Sequence, residues 1–195
     1  MKFSAIILAG GKSSRMKINK ALLPIKDKTF IEEIAEQLKD SFDEIIVITN
    51  TPEQYEFLPF EKYPDIVKNK GPLSGIHSGL THARNKYSFV TACDMPFIDG
   101  TVARNLCDMT SDYDGVVPKN GEFLQPLFAV YSKNCIPYIE KCLNDEQYKI
   151  IAFYPYAKIL YPKWSNLLSE EKATKNFFNI NTPEDLKTFR KYHEN

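Results

Sequence analysis

Two kinds of apolar pattern alternate along the chain. Phe3–Leu8, Glu44–Ile48 and Tyr87–Ala92 are short, continuous and partly β-branched, which predicts strands buried on both faces. Between the first two, Phe30, Ile31, Ile34, Ala35 and Leu38 recur at helical spacing and predict a helix within Thr29–Asp40. Thr29 and Glu32 stand three apart at its start, the spacing of a capping box in which each side chain satisfies a free backbone N–H of the other's turn. Leu73, Ile76, Leu80 and Ala83 form a second helical stripe, and Val102, Leu106 and Met109 a third. Thr182-Pro183-Glu184-Asp185 has the order of a helix start: N-cap, proline in the first turn, acids at the positive dipole end. Strand alternating with helix predicts an α/β fold with a mostly parallel central sheet flanked by helices, and ligands outside the carboxyl ends of its strands.

Composition narrows the classes. The 195 residues include 43% hydrophobic and 13% aromatic side chains, enough for a substantial core, and show no repeat, low-complexity tract or linker, so a single domain over 1–195 is expected. Twenty-five basic residues balance 25 acidic ones, which argues against nucleic acid and anionic membrane as partners. No apolar run approaches the roughly 18–20 residues of a membrane span, and Phe3–Ala9, followed by Gly10-Gly11-Lys12, makes a poor signal peptide. The four cysteines (Cys93, Cys107, Cys135, Cys142) have no CxxC or metal-ligand spacing and read as reduced, mostly buried thiols of a cytoplasmic protein.

The charge balance is uneven along the chain. Lys12, Arg15, Lys17, Lys20, Lys26 and Lys28 meet only Asp27, a local surplus of five positive charges directly after the first strand. Gly10-Gly11 opens that stretch, and paired glycines let backbone N–H groups converge on phosphate oxygens. A Walker P-loop would require glycine where Ile6 stands, and a dinucleotide fingerprint requires a third glycine that does not come before Gly71. The segment reads as a phosphate nest of another kind, against the plainer alternative of a solvated charged loop.

Three further places carry chemistry. Gly71-Pro72-Leu73-Ser74-Gly75-Ile76-His77-Ser78-Gly79 spaces glycines four apart, fit either for tight helix–sheet packing or for a closely approaching ligand. Cys93-Asp94-Met95-Pro96 ends an apolar strand with a carboxylate, which either caps a turn or holds a hard cation such as Mg²⁺. Asn179 and Asn181, alternating with apolar residues before a helix start, serve either a ligand or the turn itself. There is no GxSxG elbow and no HExxH. His77 and His82 read as residues of a partly exposed helix face, and His193 as an exposed one.

A glycine nest, a basic cluster and a lone strand-end acid describe a nucleoside triphosphate site. Leu8-Ala9-Gly10-Gly11-x-Ser13-x-Arg15-Met16 followed by Lys20-Ala21-Leu22-Leu23 resembles the signature of nucleotidyltransferases with a Rossmann-like, glycosyltransferase-A-like fold. Gly71-Pro72-Leu73-x-Gly75-Ile76, Cys93-Asp94-Met95-Pro96-Phe97, Gln125–Tyr131 and Phe178–Asp185 resemble, within them, the molybdenum cofactor guanylyltransferases, from residue 5 to about 190. The resemblance implies GMP transfer from GTP to the terminal phosphate of molybdenum–molybdopterin, with release of pyrophosphate. It implies Mg²⁺ as cofactor, GTP and molybdenum–molybdopterin as partners, and beyond them other cofactor-biosynthesis proteins or target molybdoenzymes. Carried over residue by residue, Leu8, Ala9, Gly10, Gly11, Lys20 and Gly75 bind the nucleotide and Asn50 contacts its guanosine part. Asp94 holds the metal and triphosphate, and Arg15 neutralises the leaving pyrophosphate. Asn179 and Asn181 serve the pterin side. The family's acid before Gly-Pro-Leu is replaced here by Asp65 or Asn69, and its Met-Gly-x-Asp-Lys reads Met16-Lys17-Ile18-Asn19-Lys20. Two rivals remain: a cytidylyltransferase of the same fold acting on molybdopterin or a small phosphorylated alcohol, and a non-catalytic nucleotide-binding accessory protein.

Overall fold

The computed structural model describes residues 1–9, 19–169, 172, 178–180 and 182–194. In chain order the strands are β1 (Phe3–Leu8), β2 (Pro24–Ile25), β3 (Lys28–Thr29), β4 (Glu44–Ile48), β5 (Glu61–Tyr63), β6 (Tyr87–Ala92), β7 (Gly115–Val116), β8 (Lys119–Asn120), β9 (Phe123–Leu124), β10 (Phe128–Ser132) and β11 (Ile159–Leu160). The helices are α1 (Phe30–Leu38), α2 (Pro72–His82), α3 (Gly100–Asp108), α4 (Ile136–Asn144) and α5 (Pro183–Glu194), joined by several short 3₁₀ turns. Seven strands form one sheet in the order β11-β7-β10-β6-β1-β4-β5, while β2–β3 and β8–β9 are small hairpins. β6, β1, β4 and β5 are mutually parallel; β10 runs antiparallel between β6 and β7.

The three predicted strands form over the predicted residues, and the reason is visible in how they are buried. Along β1, Phe3, Ala5 and Ile7 enter one apolar cluster and Ile6 and Leu8 the other, so both faces are covered and the one polar residue, Ser4, is itself buried. α1 and α3 supply Ile31, Ile34, Leu38, Val102 and Leu106 to the first cluster. α2 and α4 supply Leu73, Ile76, Leu80, Ile139 and Leu143 to the second. The result is a three-layer α/β arrangement.

The capping signals also hold. Thr29 caps α1, with its N–H donating to the Glu32 carboxylate at 2.7 Å. At α5 the Thr182 N–H donates to Asp185 Oδ2 (2.8 Å) and the Asp185 N–H to Thr182 Oγ1 (3.1 Å). A third apolar cluster of Ile25, Phe30, Ile180 and Phe189 docks the C-terminal stretch against α1 and the β2–β3 hairpin, with the Phe30 and Phe189 rings 4.9 Å apart.

The spaced glycines of α2 pack closely on β1, and Gly75 also lines a cavity. A Cβ on Gly79 would lie 2.6 Å from Ile6 Cγ2, and one on Gly75 would lie 3.1 Å from Leu8 Cδ2. Four helical residues advance about 6 Å and two strand residues about 6.6 Å, so α2 can seat successive glycines on alternate residues of β1. Only glycine lets the helix lie this close.

His77 is corrected by the structure. It is buried rather than on an exposed face, because α2 is covered by the sheet on one side and by α4 on the other, and its Nε2 meets Glu140 Oε1 at 3.1 Å. His82 is half-buried, stacked on Tyr63. Cys107, Cys135 and Cys142 are buried and Cys93 half-buried, and all four are free thiols. No helix among the described residues is long and apolar enough to cross a membrane.

Candidate active site

Strand register builds the site floor. Leu8 stands opposite Ile48 on one side and Ala92 on the other, so the last residues of β4, β1 and β6 form one row at the carboxyl edge. Main-chain bonds continue that ladder beyond the strands: the Ala9 N–H donates to Ile48 O (2.9 Å) and the Cys93 N–H to Leu8 O (3.1 Å). A cavity of about 250 Å³ opens over this row. Beside Leu8, Ile48 and Ala92, its walls include Ala9, Asn19, Lys20, Asp65, Gly71, Pro72, Gly75, Cys93, Asp94 and Leu127. The start of α2, the positive end of its dipole, thus forms one wall, a disposition suited to an anion.

Five of the expected site residues therefore meet in one place: Leu8, Ala9, Lys20, Gly75 and Asp94. Lys20 Nζ donates to the Ile180 carbonyl at 2.7 Å, while the Ile180 N–H donates to the Asp94 carbonyl at 2.9 Å. The C-terminal stretch bearing Asn179 is thereby fastened to Lys20 and Asp94, two of the three charged residues of the cavity. Gly10, Gly11, Arg15 and Asn181 lie outside the described residues, as do Lys12 and Lys17 of the basic cluster.

Burial raises the Asp94 carboxyl above the ordinary aspartate range, and the nearby Lys20 ammonium offsets only part of that rise. Beside it, burial and then the Asp94 charge push the Cys93 thiol up to about 12, so Cys93 is no nucleophile at neutral pH. Among the described residues no group of three His, Cys, Asp or Glu side chains is arranged to hold a metal ion by itself. Asp94 and Asp65 are the two carboxylates lining the cavity. Mg²⁺ is commonly held by one or two carboxylates with water and substrate phosphates completing its shell, so this donor set fits a metal that arrives with a triphosphate.

Asn50 does not line the cavity itself. Its Nδ2 donates to Asp65 Oδ2 (2.8 Å) and its Oδ1 accepts the Asp65 N–H (3.1 Å), a reciprocal pair that fixes the Asp65 carboxylate in the wall. Asn69 lies elsewhere: with φ 62° it lines an adjoining depression of about 710 Å³ with Lys70, Tyr148 and Lys149. Of the two candidates before Gly71, Asp65 is the one in the cavity.

Two supporting residues escaped the sequence reading. Tyr55, buried in a 3₁₀ turn, donates from its hydroxyl to the Ala9 carbonyl (3.1 Å), holding the exit of β1. Asn19 donates to Tyr55 Oη (3.0 Å) and to Gln54 Oε1 (2.9 Å), fixing the approach to Lys20. No local signal marks Tyr55, which sits 46 residues from its partner Ala9. Asn19 occupies the position where the resembled signature has an acid.

Comparison with known proteins agrees with this geometry. Residues 5–157 match the model of the MobA-like NTP transferase domain. A probable molybdenum cofactor guanylyltransferase of Pelotomaculum thermopropionicum is 42% identical, over all of this chain and 95% of that protein. One of Clostridium perfringens is 44% identical, over all of this chain and 99% of that protein. The crystal structure of molybdopterin-guanine dinucleotide biosynthesis protein A from Archaeoglobus fulgidus superposes with a TM-score of 0.86 at 26% identity, covering 98% of each chain. With the fold, the cavity and these relatives in agreement, the chain belongs to the MobA-like NTP transferase family and is a nucleotidyltransferase.

Proposed function

We propose that the chain, acting as one domain over residues 1–195, transfers GMP from GTP to the terminal phosphate of molybdenum–molybdopterin, with Mg²⁺ as its metal. The observation that carries this reading is the meeting of Lys20, Asp65 and Asp94 in one cavity at the strand ends of a chain whose close relatives bear that activity in their names. An oxygen of the acceptor phosphate attacks the α-phosphorus of GTP in line; the new P–O bond forms as the bond to the β-phosphate oxygen breaks, and pyrophosphate leaves with the electron pair. No protein nucleophile is needed, so the chain's task is to bring two anions together and stabilise the charge that shifts onto the leaving group. Asp94 would hold the metal, which when bound supplies charge neutralisation to the triphosphate. Lys20 neutralises phosphate charge, and Arg15 is assigned to the leaving pyrophosphate. Leu8, Ala9, Gly10, Gly11 and Gly75 receive the nucleotide, while Asn179 and Asn181 serve the acceptor side. The free thiols suit a cytoplasmic protein.

Asp65 offers two carboxylate oxygens, the acceptors that the adjacent N1–H and N2–H₂ donors of guanine require; the pyrimidine edge of cytosine presents no such pair. A nucleotide panel read by thermal shift with Mg²⁺ tests the assignment. GTP should raise Tm more than CTP, ATP or UTP, and Asp65→Asn should reduce the GTP-over-CTP affinity ratio about tenfold or more, as loss of a specific hydrogen-bond pair does. Stabilisation by CTP and not by GTP would overturn the guanylyl reading.

A further inference from the structure

One wall of the cavity does not come from the parallel strands. Leu127 precedes β10, one residue beyond the Phe128–Thr91 pair that joins β10 to β6, and so lies beside the end of β6 from which Asp94 emerges. The segment that carries it is held by main-chain bonds from the Gln125 N–H to Pro118 O (2.9 Å) and from the Phe128 N–H to Gln125 O (3.1 Å). Pro126 has no N–H, so its carbonyl is the one main-chain polar group through which that residue can be fixed. Tyr131 Oη donates to it at 2.9 Å.

The phenol that does this is itself oriented. Tyr131 and Tyr154 hydroxyls are 2.6 Å apart and buried. Tyr131 has a single hydroxyl proton, and the Pro126 carbonyl can only accept; that proton is committed, so the Tyr154 hydroxyl must be the donor to Tyr131. Burial raises both phenols above their ordinary range, which keeps this relay protonated at neutral pH. Room for the ring comes from Gly115, its partner across β7–β10, where a Cβ would stand 3.1 Å from Tyr131 Cδ1.

We propose that Tyr131 is a positioning residue of the active cavity: its hydroxyl, oriented by Tyr154, fixes Pro126 and thereby sets Leu127 as the wall against which the nucleotide packs. The inference rests on the nucleotidyltransferase reading above. Wall contacts made equally in ground and transition states alter KM and leave kcat unchanged. Tyr131→Phe removes one hydroxyl and should raise KM for Mg-GTP about tenfold, the scale of one lost positioning hydrogen bond, with kcat within about twofold. Tyr154→Phe should move KM in the same direction by less, since the carbonyl keeps its donor. Leu127→Ala, which leaves both tyrosines in place, should reproduce the KM rise.

A merely structural tyrosine would lower Tm and leave KM where it is. An unchanged KM in Tyr131→Phe, in a wild-type enzyme that turns over, would overturn the inference alone, as would an unchanged KM in Leu127→Ala. A folded wild type that binds no nucleoside triphosphate would contradict the functional reading, and the inference with it.

Discussion

At the scale of the residue, Asp94 carries the sharpest prediction. Its carboxyl is raised by burial, so between the ordinary aspartate value and the folded value the native state holds the extra proton, and stability falls as pH rises through that window. Above the ordinary aspartate value the buried carboxyl therefore costs the metal-free protein stability. Asp94→Asn should abolish turnover while leaving the metal-free protein as stable as wild type or more so at pH 7, an advantage that vanishes below pH 3.8. Mg²⁺ with GTP should raise the Tm of wild type and not of the variant. Full turnover in Asp94→Asn would remove Asp94 from the mechanism. That Asp94 and Lys20 would line the cavity was legible in the sequence, because an acid at a strand end and a lysine in a basic, glycine-opened stretch both fall at the carboxyl edge of a parallel sheet. Tyr55 was not legible, because its partner is a carbonyl remote in sequence. His77 looked exposed because polarity is a poor guide in a helix covered on both sides, where Glu140 supplies what solvent would.

At the scale of the element, three of the four strands of five or more residues were readable to the residue, and β10 was not. β1, β4 and β6 are covered on both faces, and their mostly apolar runs mark where they begin and end. Strands of two or three residues, such as β5, β7 and β11, have no periodicity to read and exist because a neighbouring strand offers an edge. The insertion of antiparallel β10 between β6 and β7 is likewise a tertiary choice, although it places Leu127 in the site. The α2–β1 contact yields a prediction of its own. Gly79→Ala would gain up to about 1 kcal/mol in helix propensity, yet its Cβ would fall 2.6 Å from Ile6 Cγ2, and overpacking a filled core costs about 1–3 kcal/mol. Chemical denaturation should show a net loss of about 1 kcal/mol or more. A variant more stable than wild type would mean that α2 does not sit this close to β1.

At the scale of the whole molecule, Glu44 ties together three distant parts of the chain. Its carboxylate accepts hydrogen bonds from the Ser4 hydroxyl of β1, and from the Arg84 N–H (2.8 Å) and Nε (2.7 Å) beyond α2. Burial pushes its pKa up, but these donors outweigh burial and hold it below the ordinary glutamate value. A depressed carboxyl contributes stability that is fully present above pH 4.5 and is lost as pH falls through the folded value. Glu44→Gln should therefore lower Tm at pH 7, with the gap to wild type narrowing below pH 4.5; an equal gap at pH 3 and pH 7 would contradict this origin. The neutral overall charge conceals an asymmetry along the chain, since residues 12–28 carry a basic surplus and Lys20, the member of that run that lines the cavity, stands where the anions must meet. The central claim is tested most directly by following pyrophosphate release from Mg-GTP in the presence and absence of molybdenum–molybdopterin. Release that depends on the acceptor and is accompanied by the guanine dinucleotide product is the predicted result; no release from a folded protein that binds Mg-GTP, or acceptor-dependent release from CTP alone, would contradict it.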